Sequence, residues 1–219
     1  VRRLAGVNMK IVWHGHSCFE INDKLTVVTD PHDGKSLGLR TPIVKADIVL
    51  ISHDHFDHNC ARIVKGDFAI VREPGARTVK GMKIIGIEAD HDDAEGSKRG
   101  RVIIYSFMLG GIRFCHCGDL GKMLDQQQMD AIGPVDILFV PVGGVFTIDG
   151  PQALQLIGAL KPKIAIPMHF RVGGLSLSIQ TVDRFLAGVP KDKLLQVGNS
   201  AEFEKEDLPE STEYWVFSP

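Results

Sequence analysis

The chain has 219 residues, 44% of them hydrophobic and 24% charged, a balance that excludes a solvated disordered polypeptide. Lys and Arg number 25 and Asp and Glu 27, and the net charge of −2 argues against broad electrostatic grip on a phosphate backbone. The longest stretch without a charged residue or His, Ile137 to Ile148, has 12 residues and is broken by Pro141 and Gly143-Gly144. A membrane-spanning helix needs roughly 20.

Residues 1–8 read as an extension ahead of the fold, either a valine-decoded GTG start or a longer native N-terminus. They carry Arg2 and Arg3 but no apolar run of a secretory leader, so a cytoplasmic location is expected. From Met9 onward one domain, 9–219, is expected. Apolar alternation and turn residues predict strands at 9–13, 17–22, 24–29, 47–52, 68–72, 82–87, 101–108, 111–116, 136–140, 163–166, 193–197 and 213–217. Helix signals are fewer. They cover His58–Lys65, Gln126–Ile132, Pro151–Leu160 with Asp149 as N-cap, and Ser178–Ala187 with Gly188 as stop. The pattern predicts an α/β domain of two packed sheets with helices outside. Four cysteines make no disulfide scaffold, and Cys115 and Cys117 share a strand face without bridging.

One segment carries the chemistry. The apolar strand Ile48–Ile51 ends in Ser52-His53-Asp54-His55-Phe56-Asp57-His58. Imidazole and carboxylate are the ligands of zinc and similar divalent ions. His53 and His55 alternate along extended chain and converge from one side. Asp57 and His58 are adjacent where the backbone turns and aim at a second point. One loop can thus supply two ligands to each of two ions. A polar loop is the bland alternative, but His-x-His-x-Asp-His after a buried strand is rare by chance.

At this point the sequence resembles the metallo-β-lactamase superfamily, whose fold is a four-layered αββα sandwich. The resemblance extends through spaced motifs: Asp30 in Val27-Val28-Thr29-Asp30-Pro31, His91 in Ala89-Asp90-His91-Asp92-Asp93, Asp119 in His116-Cys117-Gly118-Asp119, and His169 in Ile166-Pro167-Met168-His169. The opening Trp13-His14-Gly15-His16-Ser17-Cys18-Phe19 and the Ile-Pro-Met-His ending look most like a branch of small cytoplasmic hydrolases that includes ascorbate-6-phosphate lactonase. The resemblance implies that His53, His55 and His91 hold one ion, that Asp57, His58 and His169 hold another, and that Asp119 bridges. His116 is a rival to His91, and its strand position favours a supporting or proton-relay role. Asp30 is expected to hydrogen-bond the ligand loop or an imidazole. His16 is expected to do the same or to touch substrate.

Two divalent ions, zinc foremost with manganese or iron also compatible, would supply a metal-bound hydroxide as nucleophile, oriented by Asp57. His116 is a candidate leaving-group acid. His55 stands where the superfamily's oxygen-reducing di-iron branch usually has a carboxylate, which favours hydrolysis. Arg171, Gly143 and Gly144 are candidate substrate contacts, and Ser97-Lys98-Arg99 is a further basic run beside His91. The expected function is a binuclear hydrolase of a small anionic ester, lactone or phosphodiester. A nuclease on the same fold and a non-enzymatic metal-binding protein are the alternatives. A membrane partner is not expected, and homo-oligomerisation stays open.

Overall fold

The computed structural model describes residues 9–218, and the expected extension 1–8 lies outside the described residues. In Met9–Trp13 (β1), Met9, Ile11 and Trp13 alternate onto one buried face. β1 pairs antiparallel with Phe19–Asn22 (β2), and β2 with Thr26–Thr29 (β3). β3 continues in parallel to Ile48–Leu50 (β4), and β4 to Ala69–Val71 (β5). A second sheet begins with an antiparallel meander of Gly75–Val79 (β6), Met82–Asp90 (β7), Arg101–Leu109 (β8) and Ile112–His116 (β9). After the helix Gln126–Ile132 (α1), Ile137–Pro141 (β10) lies parallel to β9. The helix Gly150–Leu160 (α2) leads to the parallel Ile164–Met168 (β11). A short helix Asp183–Leu186 (α3) precedes Leu194–Val197 (β12), Ser200–Phe203 (β13) and Glu213–Phe217 (β14). The sheet orders are β13-β1-β2-β3-β4-β5 and β12-β14-β11-β10-β9-β8-β7-β6.

The main core lies between the sheets. Val27, Ile48 and Leu50 face it, while Val28 and Val49 turn to a smaller cluster with Cys18, Val44, Ala46, Ile51 and Val64 on the opposite face. Strands buried on both faces read as continuous apolar runs, as β4 does. α1 packs against β7, and α2 against β10 and α3. Both α1 and α2 start at a reciprocal capping box, at Asp125 and at Asp149. The expected α/β sandwich is the observed architecture, with helices sparse.

Several elements differ from expectation. His58–Lys65 is not an α-helix but a single 3-10 turn, Ala61–Ile63. Its flanks bond elsewhere, Cys60 N–H to Pro31 O and Lys65 N–H to Val44 O. Residues 178–182 are likewise diverted from the expected helix, because Gln180 N–H donates to Gly143 O and Gln180 O accepts from Arg171 N–H. No helix among the described residues is long and apolar enough to cross a membrane.

β1, β3 and β4 run in one direction within their sheet, as do β7, β9, β10 and β11 in theirs. The loops that leave these strands meet at one edge of the sandwich.

Candidate metal centre

Each side chain of the cluster sits just past a strand end. His16 follows β1, Asp30 follows β3, and the His53–His58 loop follows β4. His91 follows β7, Asp119 follows β9 and His169 follows β11. His16, Asp30 and His169 take left-handed backbone angles, with φ of 54°, 38° and 52°. Such angles cost roughly 1–3 kcal/mol each and persist only where the surroundings enforce them. Gly118 also has a left-handed φ, and a Cβ there would come within 2.6 Å of Ser52 Cβ. A glycine therefore lets the Asp119 loop of one sheet close onto the β4 loop of the other.

Asp119 is the hub. Its Oδ2 lies 3.0 Å from His169 Nε2, 3.2 Å from His58 Nε2, 3.7 Å from His91 Nε2 and 4.0 Å from His53 Nε2. Asp57 Oδ2 lies 3.4 Å from His58 Nε2 and 3.1 Å from His16 Nε2. His91 Nε2 and His55 Nδ1 are 3.2 Å apart. Among the described residues three groups are compact enough to hold an ion: His53, His55 and His91; His16, Asp57, His58 and His169; and His53, His58 and Asp119.

The donor set fits divalent metal. Four buried atoms at this point, His53 Nε2, His58 Nε2, His169 Nε2 and Asp119 Oδ1, have no well-formed hydrogen bond among the described residues. A buried polar atom left so costs about 1–3 kcal/mol, and several facing one point call for a shared cation. Zinc–nitrogen bonds of about 2.0–2.1 Å at a tetrahedral ion put ligands roughly 3.3 Å apart. The observed separations of 3.0 to 4.0 Å straddle that value.

Electrostatics agree. Burial alone would raise the Asp119 carboxyl, yet His169 and His58 hold it well below the usual carboxylate range. Burial would likewise lower His58, but Asp119, Asp57 and Asp30 raise it well above an ordinary imidazole. Burial and the neighbouring His58 push His53 down to about 3, and burial with His169 pushes His16 to about 3. The carboxylates thus stay ionised, burial keeps His53 and His16 neutral, and the positive charge that the carboxylates favour at His58 is charge that a bound cation would supply.

Asp30 lies outside the cluster and orients it. Its Oδ1 accepts Ser52 N–H at 2.7 Å, and its Oδ2 accepts both the Ser52 hydroxyl at 2.7 Å and His58 Nδ1 at 2.9 Å. Ser52 Oγ lies 2.9 Å from His53 Nδ1. One carboxylate thus fixes the tautomer of His58 directly and of His53 through Ser52, leaving both Nε2 lone pairs toward Asp119. Nothing in the sequence marks Ser52 for this role except its adjacency to His53.

Other expectations change. His116 is buried beneath the centre, with Nε2 donating to Ser17 O at 3.1 Å and Nδ1 accepting Gly118 N–H at 3.2 Å. Both nitrogens are occupied by backbone, so His116 is neither a rival ligand nor a proton relay. Gly144 N–H is spent on Ile148 O, and a Cβ on Gly143 would meet His169 O at 2.0 Å. Gly144 therefore has no free N–H to offer an anion, and Gly143 permits the close approach of the two loops. Arg171 is exposed and does not line the 240 Å³ cavity over the cluster. That cavity is lined by His55, Phe56, Asp57, His91, Arg99 and Phe146, among others. Larger clefts of 460 and 530 Å³ border Lys205 and Arg113 and hold no histidine.

Residues 10–169 match the model of the β-lactamase superfamily domain. A metal-dependent hydrolase of Thermoplasma acidophilum is 30% identical over 74% of this chain and 84% of its own length. Another, of Carboxydothermus hydrogenoformans, is 31% identical with the same coverages. A Thermotoga maritima crystal structure, described as a Zn-dependent hydrolase of the metallo-β-lactamase superfamily, is 38% identical. It superposes with a TM-score of 0.80 over 95% of this chain and 98% of its own. The two-sheet sandwich, the His/Asp cluster at its edge and these relationships together place the chain in the metallo-β-lactamase superfamily, as a metal-dependent hydrolase.

Proposed function

We propose that the chain is a binuclear hydrolase of a small anionic substrate carrying an ester, lactone or phosphodiester bond. His53, His55 and His91 would hold one divalent ion and Asp57, His58 and His169 the other, with Asp119 between them. The observation that carries this reading is the convergence of unpartnered buried nitrogens and a carboxylate oxygen on Asp119. When bound, such ions lower the pKa of water and polarise the scissile group, so that no Ser or Cys nucleophile is required.

The chain's own residues do the rest. His16 donates to Asp57 Oδ2 and fixes that carboxylate at the floor of the cavity. Asp30 and Ser52 hold His58 and His53 in the ligating tautomer. Phe56, Phe146 and Leu177 border the opening and restrict water. A volume of 240 Å³ suits a small molecule. Zinc is favoured by the description of the Thermotoga relative and by His55 standing in a carboxylate's place. A cytoplasmic location completes the reading.

Elemental analysis after mild dialysis tests the two-site reading. About two divalent ions per chain are expected, with at least one lost in Asp119→Ala. Fewer than one ion in wild type, without uptake of zinc or manganese, or full retention in Asp119→Ala, overturns it.

A further inference from the structure

The cavity over the cluster adjoins a second one of 320 Å³, and Arg99 and Phe146 line both. The Arg99 guanidinium lies over the Phe146 ring, 4.4 Å from its centroid. A stacked guanidinium is held on its face while its edge N–H groups stay available for a bidentate oxyanion. Arg99 has no carboxylate partner among the described residues, whereas Lys98 pairs with Asp93 at 3.0 Å and Arg101 with Asp90.

The backbone on both sides is built to hold this pair. The Asp92 carboxylate accepts the N–H groups of Ala94 and Gly96 on Oδ1 and of Lys98 and Arg99 on Oδ2, at 2.7 to 3.0 Å. Asp92 directly follows His91, so one loop delivers both the imidazole and the arginine. Opposite, Gly144 and Val145 take φ of 57° and 60°. A β-branched residue in the left-handed region is a genuine outlier. Val145 is 62% exposed, so core packing does not impose that angle. The turn carries Phe146 to Arg99. Phe56, 56% exposed, and Leu177 extend the apolar rim.

We propose that Arg99, stacked on Phe146, determines the substrate specificity of this centre by binding a carboxylate or phosphate-type oxyanion. The apolar part of the same molecule lies against Phe146, Phe56 and Leu177. Asp92 is the positioning residue for Arg99. The proposal rests on the hydrolase reading above and replaces Arg171 as the source of anion preference.

The test uses the full metal-loaded chain, with metal content quantified for every variant. Phenylphosphonate, benzoate and the uncharged benzyl alcohol are titrated calorimetrically. Wild type is expected to bind at least one of the two oxyanions more tightly than benzyl alcohol. Tighter phenylphosphonate marks a phosphate-type substrate, and tighter benzoate a carboxylate. Arg99→Ala is expected to weaken the preferred oxyanion at least ten-fold at unchanged metal content, with Arg99→Lys between. Asp92→Asn is expected to weaken it in the wild-type background and to have no further effect on it in Arg99→Ala, a coupling that general loss of structure would not produce. Unchanged oxyanion affinity in Arg99→Ala, or no preference of wild type for either oxyanion, overturns the proposal. Failure of the underlying reading looks different: wild type takes up no divalent ion, whatever Arg99 binds.

Discussion

Replacing Asp30 by Asn removes one charge and keeps the shape, and the hydrogen-bond pattern makes the outcome calculable. Asp30 Oδ2 accepts from both the Ser52 hydroxyl and His58 Nδ1. An amide NH2 in that place turns an acceptor into a donor. Ser52 Oγ must then accept from it and donate to His53 Nδ1, and His58 Nδ1 must accept as well. Both rings switch tautomer, and both present Nε2–H to Asp119 where a lone pair stood. Flipping the amide instead sets its NH2 against Ser52 N–H, a bond of 2.7 Å in the wild type. Loss of a residue that orients metal ligands typically costs 10- to 100-fold in affinity, or about 1.4 to 2.7 kcal/mol. Because Asp30 serves two imidazoles, we expect the upper half of that range. Ser52→Ala breaks only the His53 arm and should cost about ten-fold. Competition for zinc against a chromophoric chelator measures both, and stoichiometry distinguishes weakened from abolished sites. An affinity in Asp30→Asn within three-fold of wild type would refute the tautomer argument, as would a larger loss in Ser52→Ala than in Asp30→Asn.

Three further outcomes follow from other parts of the fold. His32 donates Nε2 to His14 O and accepts Gly34 N–H on Nδ1, the same arrangement as His116, and burial pushes both below the ordinary imidazole range. Their contribution to stability is present above about pH 6.5 and is lost as pH falls, because the unfolded chain then takes up protons that the folded one refuses. Stability against urea from pH 7 to 5 should fall less steeply in His116→Gln at equal metal loading, and an unchanged slope would count against it. Val145→Gly should raise stability by up to roughly 1 kcal/mol, since relief of about 1–2 kcal/mol of left-handed strain exceeds a glycine penalty of about 0.5–1; a lower denaturation midpoint contradicts this. Arg171→Ala should leave phenylphosphonate affinity within two-fold, and a ten-fold loss would return the anion site to that residue.

Much of the His/Asp cluster is legible in the sequence because its residues are concentrated and chemically unusual. His53, His55, Asp57 and His58 occupy one loop, and the apolar run before it fixes where they stand. The role of His116 is not legible in the sequence, for a physical reason. A histidine on a strand beside an aspartate looks the same whether its ring faces solvent, metal or core, and only the packing of β9 against Phe19 and Phe139 decides. β6 and β13 leave little signal in the sequence because Gly75–Val79 and Ser200–Phe203 are largely exposed outlying strands with little apolar alternation. The Ser178–Ala187 segment has helical composition, yet Gln180 finds backbone partners across the chain, and long-range pairing outweighs local propensity. Arg99 was one of three neighbouring polar residues in the sequence, and nothing local separates it from Lys98. The separation arises in space, where Lys98 meets Asp93 and Arg99 meets an aromatic ring.

The division of the ligand set between the sheets has a further consequence for assembly. His53, His55, Asp57 and His58 hang from the six-stranded sheet, whereas His91, Asp119 and His169 hang from the eight-stranded one. Neither sheet alone offers a complete coordination shell. Each of the two proposed ions would draw ligands from both sheets and so act as a clasp across the sandwich, drawn shut only when the two halves have found their correct mutual register. Ions that favour the closed arrangement shift the folding equilibrium by mass action, so the proposed cofactor would also reward correct assembly of the scaffold.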